Sequence, residues 1–167
     1  MTITTDASPL GLGALLIINN IIVAFAFGFI SLEDQRRLHA STSGSTGQQV
    51  WEALAVLAAL RLWKGYWLSR RIVLEVKSDS VTALVMLIKL KATGVGAGII
   101  SREAALDIAD ALYEPAIASH VPGVANVIAD HLSRMAERSS SPLPAPLRQA
   151  QQRQFEERSS AWWRTVD

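Results

Sequence analysis

Four acidic residues stand where a carboxylate is either costly to keep or well aimed for chemistry. Asp130 is the one acid in HVPGVANVIADHLSR, residues 120–134. With Asn126 as a helix cap, Ile128, Leu132 and Met135 recur at i, i+4 and i+7 and mark a buried stripe. At about 100° per residue Asp130 then points roughly 200° from Ile128, towards a cleft or plain solvent. Glu52 is the only charge in VWEALAVLAAL, residues 50–60. A helix apolar on nearly every face is enclosed by protein, and enclosing a lone carboxylate is costly unless a cation compensates. Asp6, in TTDAS, ends the first strand-like run, and Asp79 ends IVLEVKSD just before the helical SVTALVML. The carboxyl end of a strand is where α/β sheets place ligands. Plainer uses remain open: a surface acid at Asp130 or Glu52, a turn acid at Asp6, a helix cap at Asp79.

Gathered together, four such acids form a cage for cations. Crowded carboxylates repel and hold their protons unless divalent ions sit between them. An all-oxygen donor set favours Mg²⁺ or Mn²⁺ over zinc. Two ions about 4 Å apart activate a water and stabilise a leaving oxygen in phosphodiester hydrolysis. His120, just ahead of the loop VPGVA, is suited to shuttle a proton there. A satisfied loop histidine is the alternative.

The elements that must position these groups read as follows. Residues 2–8 form a strand, followed by a Pro-Leu-Gly bend. GLGALLIINNIIVAFAFGFI, residues 11–30, carries no charge over twenty residues, long enough for a membrane span. Asn19-Asn20 at its centre suits the positive φ angles of a type I′ turn, and both halves are β-prone runs of strand length, so two buried strands are predicted. Residues 31–47 are polar and read as a loop. A helix is predicted over 48–66, opened by a capping box in which Thr46 caps and Gln49 reaches back. Residues 70–79 form a strand, 80–91 a helix, 93–98 a glycine loop, 101–114 a helix, 115–121 a short strand, and the Asn126 helix follows. Strands alternating with helices in this order describe an α/β sheet with helices on its faces.

Composition limits the rest. The 167-residue chain is 50% apolar with net charge +1, and residues 1–136 hold 11 basic against 11 acidic side chains. There is no strongly basic footprint, so attraction to nucleic acid needs local patches or a metal. With no cysteine, disulfides and thiolate metal sites are excluded. Asp107 and Asp110 read as the wet face of a helix, and His131 as a surface imidazole. GVGAG follows a helix, which disfavours dinucleotide binding. Residues 137–167 read as a Ser/Pro linker and a polar tail, partly disordered or helical. The tail ends in Trp162-Trp163, suited to stack on bases or dock on the domain.

TDAS, GQQVWEALA, SDS after a strand and HVPGVANVIADHLSR, in this order and spacing, resemble the ribonuclease H domain of reverse transcriptases from gypsy-type LTR retrotransposons. The resemblance covers residues 2–136 and implies a ribonuclease H-like α/β fold. Its sheet would be five-stranded and mixed, the first three strands antiparallel, with helices on both faces. It implies that Asp6, Glu52, Asp79 and Asp130 ligate two Mg²⁺ ions, with Mn²⁺ as a substitute, and that His120 is a mobile catalytic histidine. The implied activity is endonucleolytic cleavage of the RNA strand of an RNA/DNA hybrid, leaving 3′-hydroxyl and 5′-phosphate ends. Also implied are a polymerase domain of the same polyprotein as partner, a cytoplasmic retrotransposon particle as location, and no membrane. Ser8, Ser80 and Asn126 are candidates for reading the 2′-hydroxyl across a shallow minor groove. Arg102, Lys89 and Lys91 are candidates for phosphate contacts, or are solvated charges. The non-enzymatic alternative is a catalytically idle module of the same fold from a degenerate element.

Overall fold

The computed structural model describes residues 1–68, 72–110, 113–120, 126–137 and 142–165, with only the backbone described at 46, 113–118, 120 and 136. The chargeless run forms a hairpin. β1 (Thr2–Ala7), β2 (Gly11–Ile18) and β3 (Ile21–Phe29) make an antiparallel meander. Asn19 and Asn20 join β2 to β3 at φ 51° and 62°, the left-handed pair that a type I′ turn demands. Among the described residues no helix is long and apolar enough to cross a membrane.

Two parallel strands extend the sheet on the β1 side. β4 (Ile72–Ser78) lies beside β1, and β5 (Tyr113–His120) beside β4. α1 spans Leu32–Arg37, α2 Ser45–Leu62, α3 Val81–Lys89, α4 Val95–Asp110 and α5 Val127–Ser133. Period-2 alternation divides the strands between two cores. Ile3, Ala14, Leu16 and Ala24 pack with α2, α3 and α4, whereas Leu15 and Phe25 pack with Ala129 and Leu132 of α5. Helices therefore cover both faces. Trp51, Trp63 and Trp67 are among the largest fully buried side chains.

Several expectations are corrected here. A sixth strand, β6 (Gln151–Gln154), pairs parallel to β3, giving the order β5-β4-β1-β2-β3-β6. This segment of the tail is strand rather than helix, and covering the β3 edge satisfies backbone groups that an open edge would leave bare. Residues 31–47 are not all loop. Ser31 and Asp34 form a capping box that opens α1, each side chain bonding the other's backbone N–H. Thr46 falls inside α2 rather than at its cap position, because the helix begins earlier, after Gly44 at φ 91°, with no side-chain cap there. The 93–98 glycines are largely helical: α4 starts at Val95, and Gly96 is forced to be glycine because a Cβ would collide with the Leu38 carbonyl oxygen.

Candidate metal centre

Asp6 is fixed from three directions. It lies near the end of β1, opposite Gly13 of β2. A Cβ at Gly13 would stand 2.5 Å from the Ala129 carbonyl oxygen and 2.6 Å from the Ser133 nitrogen. The missing side chain thus lets α5 press against the sheet beside Asp6. From α5, Ser133 Oγ lies 2.7 Å from Asp6 Oδ2, and the Asn126 amide donates to Asp6 Oδ1 at 3.2 Å and to the Thr5 carbonyl at 3.1 Å. Asp6, Asn126 and Ser133 are all buried.

Parallel pairing brings Asp79 to the same place. Thr4 is registered with Lys77, so two residues further along each chain Asp6 and Asp79 stand side by side at the strands' carboxyl ends. Ser80, not Asp79, caps α3, accepting from the Ala83 N–H at 3.2 Å. The cap alternative for Asp79 is thereby removed. Glu52 comes from α2 above the sheet. Its Oε1 accepts from the Ala7 N–H at 3.2 Å and from Gln48 Nε2 at 2.9 Å, while its buried Oε2 has no hydrogen-bond partner among the described residues.

One oxygen from each of Asp6, Glu52 and Asp79 lies within 4.8 Å of the others. The electrostatic consequence is large. Burial, and then the charges of Asp79 and Asp130, raise Asp6 to about 7 against the hydrogen bond from Ser133. Burial, and then the charges of Asp6 and Asp79, raise Glu52 to about 9. Oxygen-only donors, an orphaned carboxylate oxygen and acids that hold protons for want of a counter-charge fit a hard divalent cation.

Asp130 lines the same cleft, about 300 Å³ in volume, together with Asp6, Gln48, Gln49, Glu52, Asp79, Ser80 and Arg134. It is not in the tight group of three. Half-exposed, it pairs with Arg134 one turn along, Nε to Oδ1 at 2.8 Å.

Comparison with known proteins adds the fold. No family model and no curated protein matches the chain. Among solved structures it is similar to ribonuclease H1 from the halophilic archaeon Halobacterium salinarum NRC-1, with a TM-score of 0.63 and 19% identity over 83% of this chain and 98% of that one. The chain has a ribonuclease H-like fold.

Within that ribonuclease H-like fold the remaining candidates separate by burial. Ser80 opens onto the cleft. Ser8 does not face it: its hydroxyl is buried, donates to the Ser133 carbonyl at 2.9 Å and accepts from the Gly11 N–H at 3.0 Å, tying down the Pro-Leu-Gly bend. Asn126 makes no cap bond; its amide is spent on β1. The backbone of β5 runs to His120, but that side chain and the VPGVA loop lie outside the described residues. Lys91 and Arg102 line a separate groove between α3 and α4, and Lys89 ends α3, exposed. Asp107 is no wet-face residue, being paired with Arg61 at 2.6 Å and with Arg164 at 3.2 Å. Gln48, Ser133 and Arg134 were missed by sequence reasoning. Their positions at four before Glu52, and three and four after Asp130, share helix faces with the acids and were the available signal.

Proposed function

We propose that this chain is a divalent-metal-dependent ribonuclease H that hydrolyses the RNA strand of RNA/DNA hybrids. The observation that carries this reading is the meeting of Asp6 and Asp79, at the carboxyl ends of the parallel strands β1 and β4, with Glu52 from α2, within a fold shared with a ribonuclease H1. In this reading Asp6, Glu52, Asp79 and Asp130 hold two Mg²⁺ ions, which Mn²⁺ can replace. Bound there, such ions make water a better nucleophile and stabilise charge on the leaving oxygen. Water oxygen bonds to phosphorus, the bond from phosphorus to the 3′-oxygen breaks, and 3′-hydroxyl and 5′-phosphate ends result.

The chain's own residues set the geometry. Asn126 and Ser133 orient Asp6, and Gln48 orients Glu52. The hydroxyl of Ser80 at the cleft is suited to meet a 2′-hydroxyl, the one group that marks the cleaved strand as RNA. His120 is assigned proton transfer by the resemblance to gypsy-type domains, which also supports a role in reverse transcription beside a polymerase domain. The idle-module alternative draws on Asp130's pairing with Arg134, and the buried acids Asp6 and Glu52, with no cation paired to them among the described residues, oppose it.

The test uses a labelled hybrid, double-stranded RNA and double-stranded DNA with Mg²⁺ titrated against EDTA. Hybrid alone should be cut, and only with metal. Asp79→Asn should lower cutting at least about a thousandfold, since lost metal stabilisation is worth several kcal/mol. Unchanged cutting by that variant would refute the assignment.

A further inference from the structure

Among the described residues Arg134 is the single cation lining a cleft otherwise walled by four acids and polar or small groups. It bonds the one acid that stands apart from the tight cluster. The two facts are connected. A guanidinium cannot lose its proton, so Asp130 Oδ1 keeps a cationic partner while that carboxylate stays outside the group of Asp6, Glu52 and Asp79.

We infer that Arg134 is the resident counter-cation of Asp130, a positioning residue that holds this carboxylate until a divalent ion draws it inward and then turns to a phosphate of the bound strand. The inference rests on the metal-dependent reading above. Both partners are close to half exposed, with side-chain accessibilities of 45% and 43%, so their pair is a weak one that solvent and ions can open. An arginine freed at the rim of an acidic cleft has an obvious new partner in a polyanion, since its planar fork matches phosphate oxygens in pairs. It also stands at the C-terminal end of α5, where a cation is favoured by the helix dipole. A purely structural arginine would therefore change stability without touching metal or nucleic-acid affinity.

The experiment compares the full chain with Arg134→Ala by calorimetric titration of Mn²⁺ in the absence of nucleic acid. Relief of competition should tighten uptake about two- to fivefold, the span expected for an exposed ion pair. The gain should vanish when Asp130→Asn is added. In a second arm, hybrid binding by Arg134→Ala, measured in Ca²⁺ against salt, should weaken and lose about one unit of slope in log affinity against log salt. Arg134→Lys, which keeps the charge, should restore that slope. Mn²⁺ uptake no tighter than the parent's, or a salt slope unchanged, overturns the inference. Uptake of Mn²⁺ by a parent chain that cuts no hybrid refutes the nuclease reading while the calorimetric comparison still decides the role of Arg134. Absence of uptake by both proteins sinks the two together.

Discussion

Glu103 and Glu52 are both acids enclosed by α2 and its neighbours, yet one is neutralised within the chain and the other is not. Glu103 is fully buried beneath the tail. Arg61 reaches it at 2.5 Å, and the backbone N–H of Arg164 and Thr165 and the Thr165 hydroxyl complete its shell. Burial pushes Glu103 up, but these hydrogen bonds outweigh it and leave the carboxyl below its ordinary value. Asp34 is likewise buried and paired within the chain, with Arg158 at 2.7 Å. In the cleft, by contrast, Glu52 meets among the described residues only an amide, a backbone N–H and two other acids, and it rises to about 9. Burial alone therefore does not distinguish scaffold from site. What distinguishes them is whether the matching charge is part of the chain.

The largest expected effect breaks the scaffold side. Arg61→Met leaves Glu103 and Asp107 facing each other without their guanidinium and should lower stability by about 3–5 kcal/mol, the usual cost of orphaning one member of a buried pair. Urea denaturation in EDTA measures it. At a temperature where the variant stays folded, hybrid cleavage should be close to parental, because Arg61 holds the tail through Trp162 and not the cleft. A loss of under about 1 kcal/mol would mean that the network is solvated and that the contrast between the regions is false.

Glu52→Gln should act in the opposite direction. Without metal, removing a carboxyl that resists ionisation should raise stability by about 1–3 kcal/mol at pH 8, while cleavage is abolished. The pH profile carries the sign. The folded values of Asp6 and Glu52, about 7 and 9, lie above their ordinary 3.8 and 4.5. Their contribution is complete below about pH 4 and is lost as pH rises through 7 and then 9. Glu103 is displaced the other way from 4.5, so its contribution is present above that value and fails as pH falls below it. Metal-free thermal midpoints should therefore decline from pH 6 to 9. Glu52→Gln should flatten the upper part of that decline, and Mg²⁺ should flatten it in the parent. A midpoint that rises with pH in EDTA would contradict the unpaired state of the cleft acids.

The same contrast explains what sequence reading could reach. Glu52 was legible as the lone charge on an apolar helix, Asp79 by its place after a β-branched strand, and the β2–β3 turn by its Asn-Asn pair. Each of these signals lies within a few residues. The Arg61–Glu103, Arg158–Asp34 and Asn126–Asp6 contacts join residues 42, 124 and 120 apart, and no local pattern announces them. Gln151–Gln154 is polar and exposed at every position, so β6 lacks the alternation that marks a half-buried strand. Asn126 has the composition of a cap, but pairing across to β1 overrides that local preference.

Ser8→Ala is the smallest test and separates scaffold from substrate contact at one hydroxyl. Read from sequence, Ser8 sits two residues after a cleft acid and is a candidate to touch RNA. In the folded chain its hydroxyl joins the Gly11 N–H to the Ser133 carbonyl, which places it on the scaffold side although it is next to the site. Alanine there should cost about 1 kcal/mol of stability, the net worth of a buried hydrogen bond. KM for hybrid and the preference for RNA over DNA should stay within about twofold of the parent, under half a kcal/mol. Ser80→Ala, at the cleft, should also cost about 1 kcal/mol, because it removes the cap of α3, but unlike Ser8→Ala it should weaken the preference for RNA. If Ser8→Ala weakens the preference for RNA and Ser80→Ala leaves it unchanged, burial and hydrogen-bond commitment have been read the wrong way round. The division between matched and unmatched groups would then fail at its finest scale.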